Sequence, residues 1–441
     1  MRVGRVLLLA CAAAGGPRVR REIRSVAPEI RDRVFAAFEV MRNTSRADGE
    51  ARYGRAFRTY QSITVQHTYA AIDARCDQGH LSAGFFPYHR ALVLAVEASV
   101  LAVDPGVGAL PYWDYNVDLA LPDPAASEIW SDAFFGEAAG DPDDAYMIRT
   151  GPWRDWTLDR GDLFAGPPRY DVAEQRWVDG ARGNAYGYLR GLTNQNPAPR
   201  LTRRHAICGA ALPWFGGGVN VSTWDACVAK PTFLEFWDCF DAGVDGPHPF
   251  GHIWLGGAWG AKDGNCAAKQ LDTATAEIVA GCLVVPNCTG KALEDCVLVR
   301  DDAACARMLE PNATCQRYGG GGSRPAYAPD AACKACPECA DGQLGAAGDF
   351  WDGSTSTNDP IFWFHHPNID RAWSAWMAAR SDPPFYDFPT SGFCPGHNLH
   401  DVISSTYPFP AWLVGDEGDA PLTIAALMAA TRPGNDLYTY A

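Results

Sequence analysis

Apolar residues recur three and four positions apart through the stretch 27–41, at Ile30, Val34, Phe38 and Met41. That spacing places them on one face of a helix. Pro28 falls in its first turn, where a missing N–H removes no bond. The stretch 61–75 reads as a second helix. The stretch 90–103 holds neither Pro nor Gly and is apolar nearly all round, which predicts a helix buried on every side. The pattern then fades. From 104 to 247, Pro, Gly, Trp and Asp are frequent, predicting long loops and a few short strands over a helical core. Helical patterning returns around 231–240, in the segment carrying His248 and His252, and at 357–380. In the last of these, Asp359 is placed to cap a helix starting at Pro360, and Pro367 removes one hydrogen bond within it. The end, 410–441, reads mostly as loop, and no repeat of fixed period is present. The expected class is mainly α.

Apolar residues make up 47% of the 441, enough for a large core, and the 20% that are charged are too few for a disordered chain. Length alone permits two or three domains. A formal net charge of -15 argues against nucleic acid or an anionic membrane as partner. Residues 1–16 read as a secretory signal. Arg2 and Arg5 precede a short apolar run from Val6 to Ala14, and small residues follow. A buried N-terminal helix and a lipoprotein-type cleavage ahead of Cys11 are the alternatives. No later segment reads as long and apolar enough to cross a membrane.

Removing Cys11 from the 15 cysteines leaves 14, and nine of these lie from Cys266 to Cys339. In an exported chain that density reads as disulfides. Sequons at Asn43, Asn220, Asn287 and Asn312 fit a secreted or luminal glycoprotein. The Cys-rich island 263–345 separates 17–262 from 346–441. Cys333, Cys336 and Cys339 within it also have a spacing that suits a metal, with disulfides the reading preferred here.

Six of the ten histidines form two triplets: His67, His80 and His89, then His248, His252 and His366. On a helix, His248 and His252 stack on one face, about 40° apart around the axis. On a helix His365 and His366 point about 100° apart, so one metal does not easily take both. Neutral imidazole suits copper, zinc, iron or nickel. Two sites built from imidazole alone, without thiolate or carboxylate, point away from structural zinc and towards a pair of coppers. For any single histidine the other reading is a surface or hydrogen-bonded core residue.

The segments GHLSAGFFPYHR (79–90), LPYWDYN (110–116), HPFGHIWLGG (248–257) and DPIFWFHHPNIDRAW (359–373) carry a resemblance. In order, spacing and aromatic character they resemble both copper signatures of the type 3 copper proteins, the family of tyrosinases, catechol oxidases and molluscan haemocyanins. The resemblance covers 20–262 and 346–441. It implies an antiparallel four-helix bundle holding two copper ions. His67, His80 and His89 would hold the first copper, and His248, His252 and His366 the second. His365 would stand behind His366, and Asp370 and Arg371 match a supporting Asp and a basic residue. The family binds O2 and oxidises small o-diphenols to o-quinones, and some members hydroxylate monophenols first. Asp241 lies near the family's water-holding Glu. Glu235 is the other candidate for a base that takes the phenol proton, and for each the alternative is a solvated surface carboxylate. The rival readings are a haemocyanin-like oxygen carrier and an inactive scaffold. One copper-pair module favours an enzyme over a carrier, and six ligands argue against a scaffold.

Four features depart from or refine the family pattern. Pro249 follows His248, where many tyrosinases carry an Asn that helps orient the water activating monophenols, so diphenol oxidation is the expected chemistry. Cys76 lies four residues before His80, wider than the Cys-x-His of the family's thioether, and a disulfide is the favoured reading there. The excess length between His252 and His366 is the stretch 263–345, read as a disulfide-stapled insertion that could shade the substrate entrance. Tyr438, Thr439 and Tyr440 match the Tyr-x-Tyr element that closes the family's catalytic core, so no C-terminal shielding domain is expected.

Overall fold

The computed structural model describes residues 17–71, 77–80, 82–157, 200–203, 221–241, 246–256, 348–350, 356–380, 388–390 and 395–441, except 406, 417, 419 and 436, with short strand pieces at 169–171, 176–179, 206–207, 210–211, 283–284 and 299–300. The expected signal 1–16, Cys76, the sequons at Asn220, Asn287 and Asn312, and the island 263–345 apart from its paired pieces Leu283–Val284 and Val299–Arg300 lie outside the described residues.

The first helix, α1 (Pro28–Asn43), has Pro28 in its first turn and buries Val34, Phe35, Phe38 and Met41. α2 (Arg46–Tyr53) is capped by the Ser45 hydroxyl, which accepts from the Asp48 N–H. α3 (Tyr60–Ala71) covers most of the expected 61–75, and the remaining residues fall outside the described set. α4 (Phe85–Val103) begins earlier than the expected residue 90. Pro87 sits in its first turn, where a proline needs no hydrogen-bond partner, so it opens the helix instead of delaying it. Every side chain from Phe85 to Leu101 is buried. By length and composition α4 would suffice to cross a bilayer, which corrects the expectation that no segment would. Here its apolar surface is covered by protein, because α1, α3, α9 and α10 pack around it.

The remaining helices are α5 (Tyr115–Leu119), α6 (Val221–Val228), α7 (Phe233–Asp241), α8 (Pro247–Gly256), α9 (Phe362–Ala378) and α10 (Ile424–Ala430). A disulfide between Cys227 and Cys239 joins α6 to α7, and α7 packs on α8. α9 starts two residues after the expected Pro360. The Asp359 carboxylate accepts from the Ile361 N–H at 3.1 Å and also pairs with the buried Arg203. Within α9, Pro367 leaves one carbonyl of the preceding turn without its helical donor. The neighbouring Phe364 carbonyl accepts from the Trp113 N–H at 2.8 Å, which fastens the LPYWDYN segment to this helix. Among the described residues, strand is confined to two-stranded pieces. One of them joins the distant segments Arg18–Arg20 and Tyr438–Tyr440 in parallel, with Arg18 opposite Tyr438 and Arg20 opposite Tyr440.

That junction surrounds a buried ionic network. Arg20 grips both oxygens of Glu97 at 3.0 and 2.9 Å and reaches Asp370 Oδ2 at 3.1 Å. The Tyr438 and Tyr440 hydroxyls donate to the same Asp370 oxygen at 2.8 and 2.6 Å, and Arg90 binds its other oxygen. Asp370 was expected to support the metal ligands, and these bonds run from its carboxylate to other groups. Its carboxylate sits one turn beyond His366 on α9 and is engaged by two arginines and two tyrosines. Burial alone would raise the Glu97 carboxyl, but Arg20 and Arg18 pull it down to about 2 from its ordinary 4.5. A depressed carboxyl contributes stability that is present above its ordinary value and lost as pH falls towards the folded one. Glu97→Gln is expected to cost about 3 kcal/mol at neutral pH, because it strips a partner from a buried guanidinium. In urea unfolding series the gap between wild type and variant should narrow as pH drops below 4.5; a gap independent of pH would refute this.

Candidate metal centre

The first group of histidines is built from two helices and the loop between them. His67 lies on α3, His89 in the first turns of α4, and His80 on the connecting loop. Their rings meet at centroid distances of 4.9 Å (His67 to His80), 5.5 Å (His67 to His89) and 4.9 Å (His80 to His89). The His67 and His89 Nε2 atoms face each other at 3.4 Å. The outer nitrogens of His80 and His89 are tied. His89 Nδ1 donates to the Phe85 carbonyl at 2.9 Å, the residue one turn earlier. His80 Nδ1 donates to Asp77, 3.1 Å from either carboxylate oxygen. A proton fixed on Nδ1 leaves the Nε2 lone pair pointing inward.

The second group is held by α8 and α9. His248 Nε2 and His252 Nε2 approach to 3.0 Å. His248 Nδ1 donates to Asp241 at 2.8 Å, and His252 Nδ1 to the Phe350 carbonyl at 2.8 Å. The Phe350 ring stacks on His252, with centroids 4.4 Å apart. His365 and His366 both join this group, whose ligand atoms all lie within 4.8 Å of one another. The two differ in what they face. His366 lies parallel to His89 of the first group at 4.2 Å. His365 turns towards Tyr115 and fills the space above Gly251, where a Cβ would come within 2.8 Å of its ring.

Two phenylalanines touch both groups. Phe85 lies 4.4 Å from His248 and 4.5 Å from His89, and Phe362 lies 5.0 Å from His67 and 4.0 Å from His366. Burial, reinforced by neighbouring imidazoles, pushes His89, His248, His365 and His366 well below the ordinary imidazole range. They are neutral at neutral pH, as metal ligands must be. Both ring nitrogens of His365 and of His366 are buried without a hydrogen-bond partner. An imidazole so placed costs free energy unless something accepts its lone pair. A borderline cation such as copper fits this donor set of neutral, convergent imidazoles.

The two carboxylates expected to act as bases have other tasks. Glu235 is exposed and forms a capping box at the start of α7. Its Oε2 accepts from the Thr232 N–H at 3.2 Å and hydroxyl at 2.7 Å, while the Thr232 hydroxyl accepts from the Glu235 N–H at 3.2 Å. Asp241 is buried, and its two oxygens accept from His248 and, at 3.0 Å, from Trp237 Nε1. It orients a histidine and is not poised to take a proton from a substrate. Sequence reading missed Asp77, Phe85 and Phe362, although Asp77 precedes His80 by three residues and Phe85 precedes His89 by one helical turn. Phe350 is separated from His252 by 98 positions, and no local signal marks it.

Removing the carboxylate behind His248, as in Asp241→Ala, is expected to weaken cupric ion binding about 10- to 100-fold. Glu235→Ala should leave that affinity unchanged and cost about 1 kcal/mol of stability. Chelator competition together with thermal unfolding reads both, and equal effects on affinity would contradict these assignments.

Comparison with known proteins agrees with this geometry. Residues 57–276 and 328–379 match the common central domain of tyrosinase. The putative tyrosinase-like protein tyr-3 of Caenorhabditis elegans is 31% identical over 149 residues, a match spanning 33% of this chain and only 18% of that protein. A tyrosinase of Streptomyces antibioticus is 30% identical over 420 residues, 94% of this chain and 97% of its own length. The polyphenol oxidase of Thermothelomyces thermophila shares the fold, with a TM-score of 0.51 at 17% identity over 98% of this chain and 91% of that one. With more than half of the chain matching the central domain and a relative aligned almost end to end, the chain belongs to the tyrosinase family.

Proposed function

We propose that the protein is a type 3 copper oxidase that converts o-diphenols to o-quinones with O2. The observation that carries this reading is the meeting of the two histidine groups at His89 and His366, whose rings lie parallel at 4.2 Å. Two metals held there would address one substrate together. His67, His80 and His89 would hold one copper, and His248, His252 and His366 the other, with His365 as the packing residue behind. When bound, the pair supplies O2 binding and accepts the electrons removed from the phenol.

The protein's own part is positional. α3, α4, α8 and α9 carry five of these histidines, and we read them as the antiparallel four-helix bundle of the site. Asp77, Asp241 and the carbonyls of Phe85 and Phe350 hold protons on the outer nitrogens, which keeps the inner ones available. Phe85 and Phe362 exclude water from the space between the groups and offer apolar faces near an arriving aromatic ring. The preference for o-diphenols rests on Pro249, in the first turn of α8, which puts no amide side chain beside His248. It rests also on Asp241 and Glu235, each already engaged elsewhere. The Cys227–Cys239 disulfide supports assignment to an oxidising, exported location, and the stretch 263–345 is read as an insertion stapled by further disulfides.

Copper analysis combined with oxygen uptake tests the proposal. Two coppers per chain, uptake with a catechol, at least tenfold slower uptake with a monophenol, and loss of both on chelation are expected. Oxygen binding without turnover would defeat the oxidase reading, and a chain that takes up no copper would defeat the metal assignment. Pro249→Asn should raise the monophenol rate relative to the diphenol rate severalfold, and an unchanged ratio would show that Pro249 does not set the preference.

A further inference from the structure

We infer that His397 is a positioning residue for the first metal group, clamping the loop that presents His80. His80 is the one member of the two triplets that no helix carries, so its placement depends on what holds the loop 77–84. His397 comes from a segment more than 300 positions away and is buried. Both of its nitrogens are committed to the two ends of that loop. Nδ1 accepts from the Gly84 N–H at 2.9 Å, and Nε2–H donates to the Asp77 carbonyl at 2.7 Å. Between these anchors, Asp77 Oδ1 accepts from the backbone N–H groups of Gly79 and His80, each at 2.8 Å, and its carboxylate holds His80 Nδ1. Gly84 is also the N-cap residue immediately before α4. One imidazole therefore ties the loop carrying His80 to the helix carrying His89.

Four further observations indicate that the contact is built. Gly84 has no room for a side chain, because a Cβ would lie 2.7 Å from His397 Nδ1 and 2.3 Å from the Gly396 carbonyl. Gly396 adopts φ +88, a left-handed conformation that glycine accepts readily. Asp401 then fixes the turn, accepting from the Gly396 N–H at 2.9 Å and the Asn398 N–H at 3.1 Å. Close by, Gln78 Oε1 accepts from the Ser405 N–H at 2.8 Å and hydroxyl at 3.1 Å, a second tie between the same two segments. Burial keeps His397 below the ordinary imidazole range, in the neutral form that both bonds need.

The metal-binding consequence rests on the copper reading above, whereas the clamp itself does not, and two measurements separate them. In metal-free protein, His397→Ala should speed amide exchange at Gly79, His80 and Gly84 at least tenfold while leaving α1 and α9 unchanged. In copper-loaded protein, the same variant should retain one copper at a chelator concentration where wild type retains two, the survivor giving the EPR signal of an isolated cupric ion. A tenfold or larger loss of affinity is the size expected when a partner behind a metal ligand is removed. His397→Gln, which can accept at one atom and donate at the other, should restore much of both. Gly84→Ala, which displaces the ring without changing it, should reproduce the loss and covers the case in which His397→Ala fails to fold. Unchanged exchange in His397→Ala or Gly84→Ala overturns the clamp. Equal loss of both coppers, unrescued by His397→Gln, overturns its selectivity for the first group. A wild-type chain that binds no copper would count against the copper reading alone, and the exchange rates would still decide the clamp.

Discussion

A buried imidazole has two nitrogens, and the one the protein ties up decides which is offered to the interior. The whole arrangement follows from this constraint. Four of the histidines have Nδ1 fixed by a carboxylate or a carbonyl. Each of these supports comes from backbone or side chains that must themselves be held still. Phe85 is held by the first turn of α4, Asp241 by the end of α7, and Asp77 by the amides of its own turn. The apolar packing around α4 limits how far these partners can be displaced.

The core is polar where it might have been wholly apolar. One turn along α9 from His366, Asp370 collects Arg20, Arg90, Tyr438 and Tyr440. On α4, Arg90 follows His89 directly, so the ionic network lies immediately beneath the histidines on the same two helices. Its members neutralise one another through short, directed bonds, and α4 can be apolar enough for a membrane yet carry Arg90 and Glu97 in a protein interior. The network fixes the rotation of α4 against α9, and with it the relative placement of His89 and His366.

How much of this was legible in the sequence depended on the range of the signal. Long periodic stretches gave α1, α4 and α9 to within a few residues. The short α6 and α10 escaped because seven or eight residues show too little of a period, and α4 begins before residue 90 because Pro87 sits in its first turn. The two histidine triplets were visible as spacing and as a resemblance, and the structure gathers them as two groups. Their supports were visible only when local. The resemblance marked Asp370 as a supporter, but its partners come from chain segments that no local pattern reveals. Glu235 looked like a base until its exposed capping box with Thr232 was seen. His397 shares no sequence neighbourhood with His80 and has no pattern of its own.

The parallel pairing of Arg18–Arg20 with Tyr438–Tyr440 bears on how the molecule is made. A chain synthesised from its N-terminus exposes Arg20 and Glu97 long before Tyr438 and Tyr440 leave the ribosome. Asp370 and its two hydroxyl donors meet only when nearly all of these residues have been released. The bonds that this network contributes between the helices on either side of the histidines are therefore complete only once those last residues are available. A chain cut short before residue 438 would leave charged groups buried without two of their partners instead of a smaller working core.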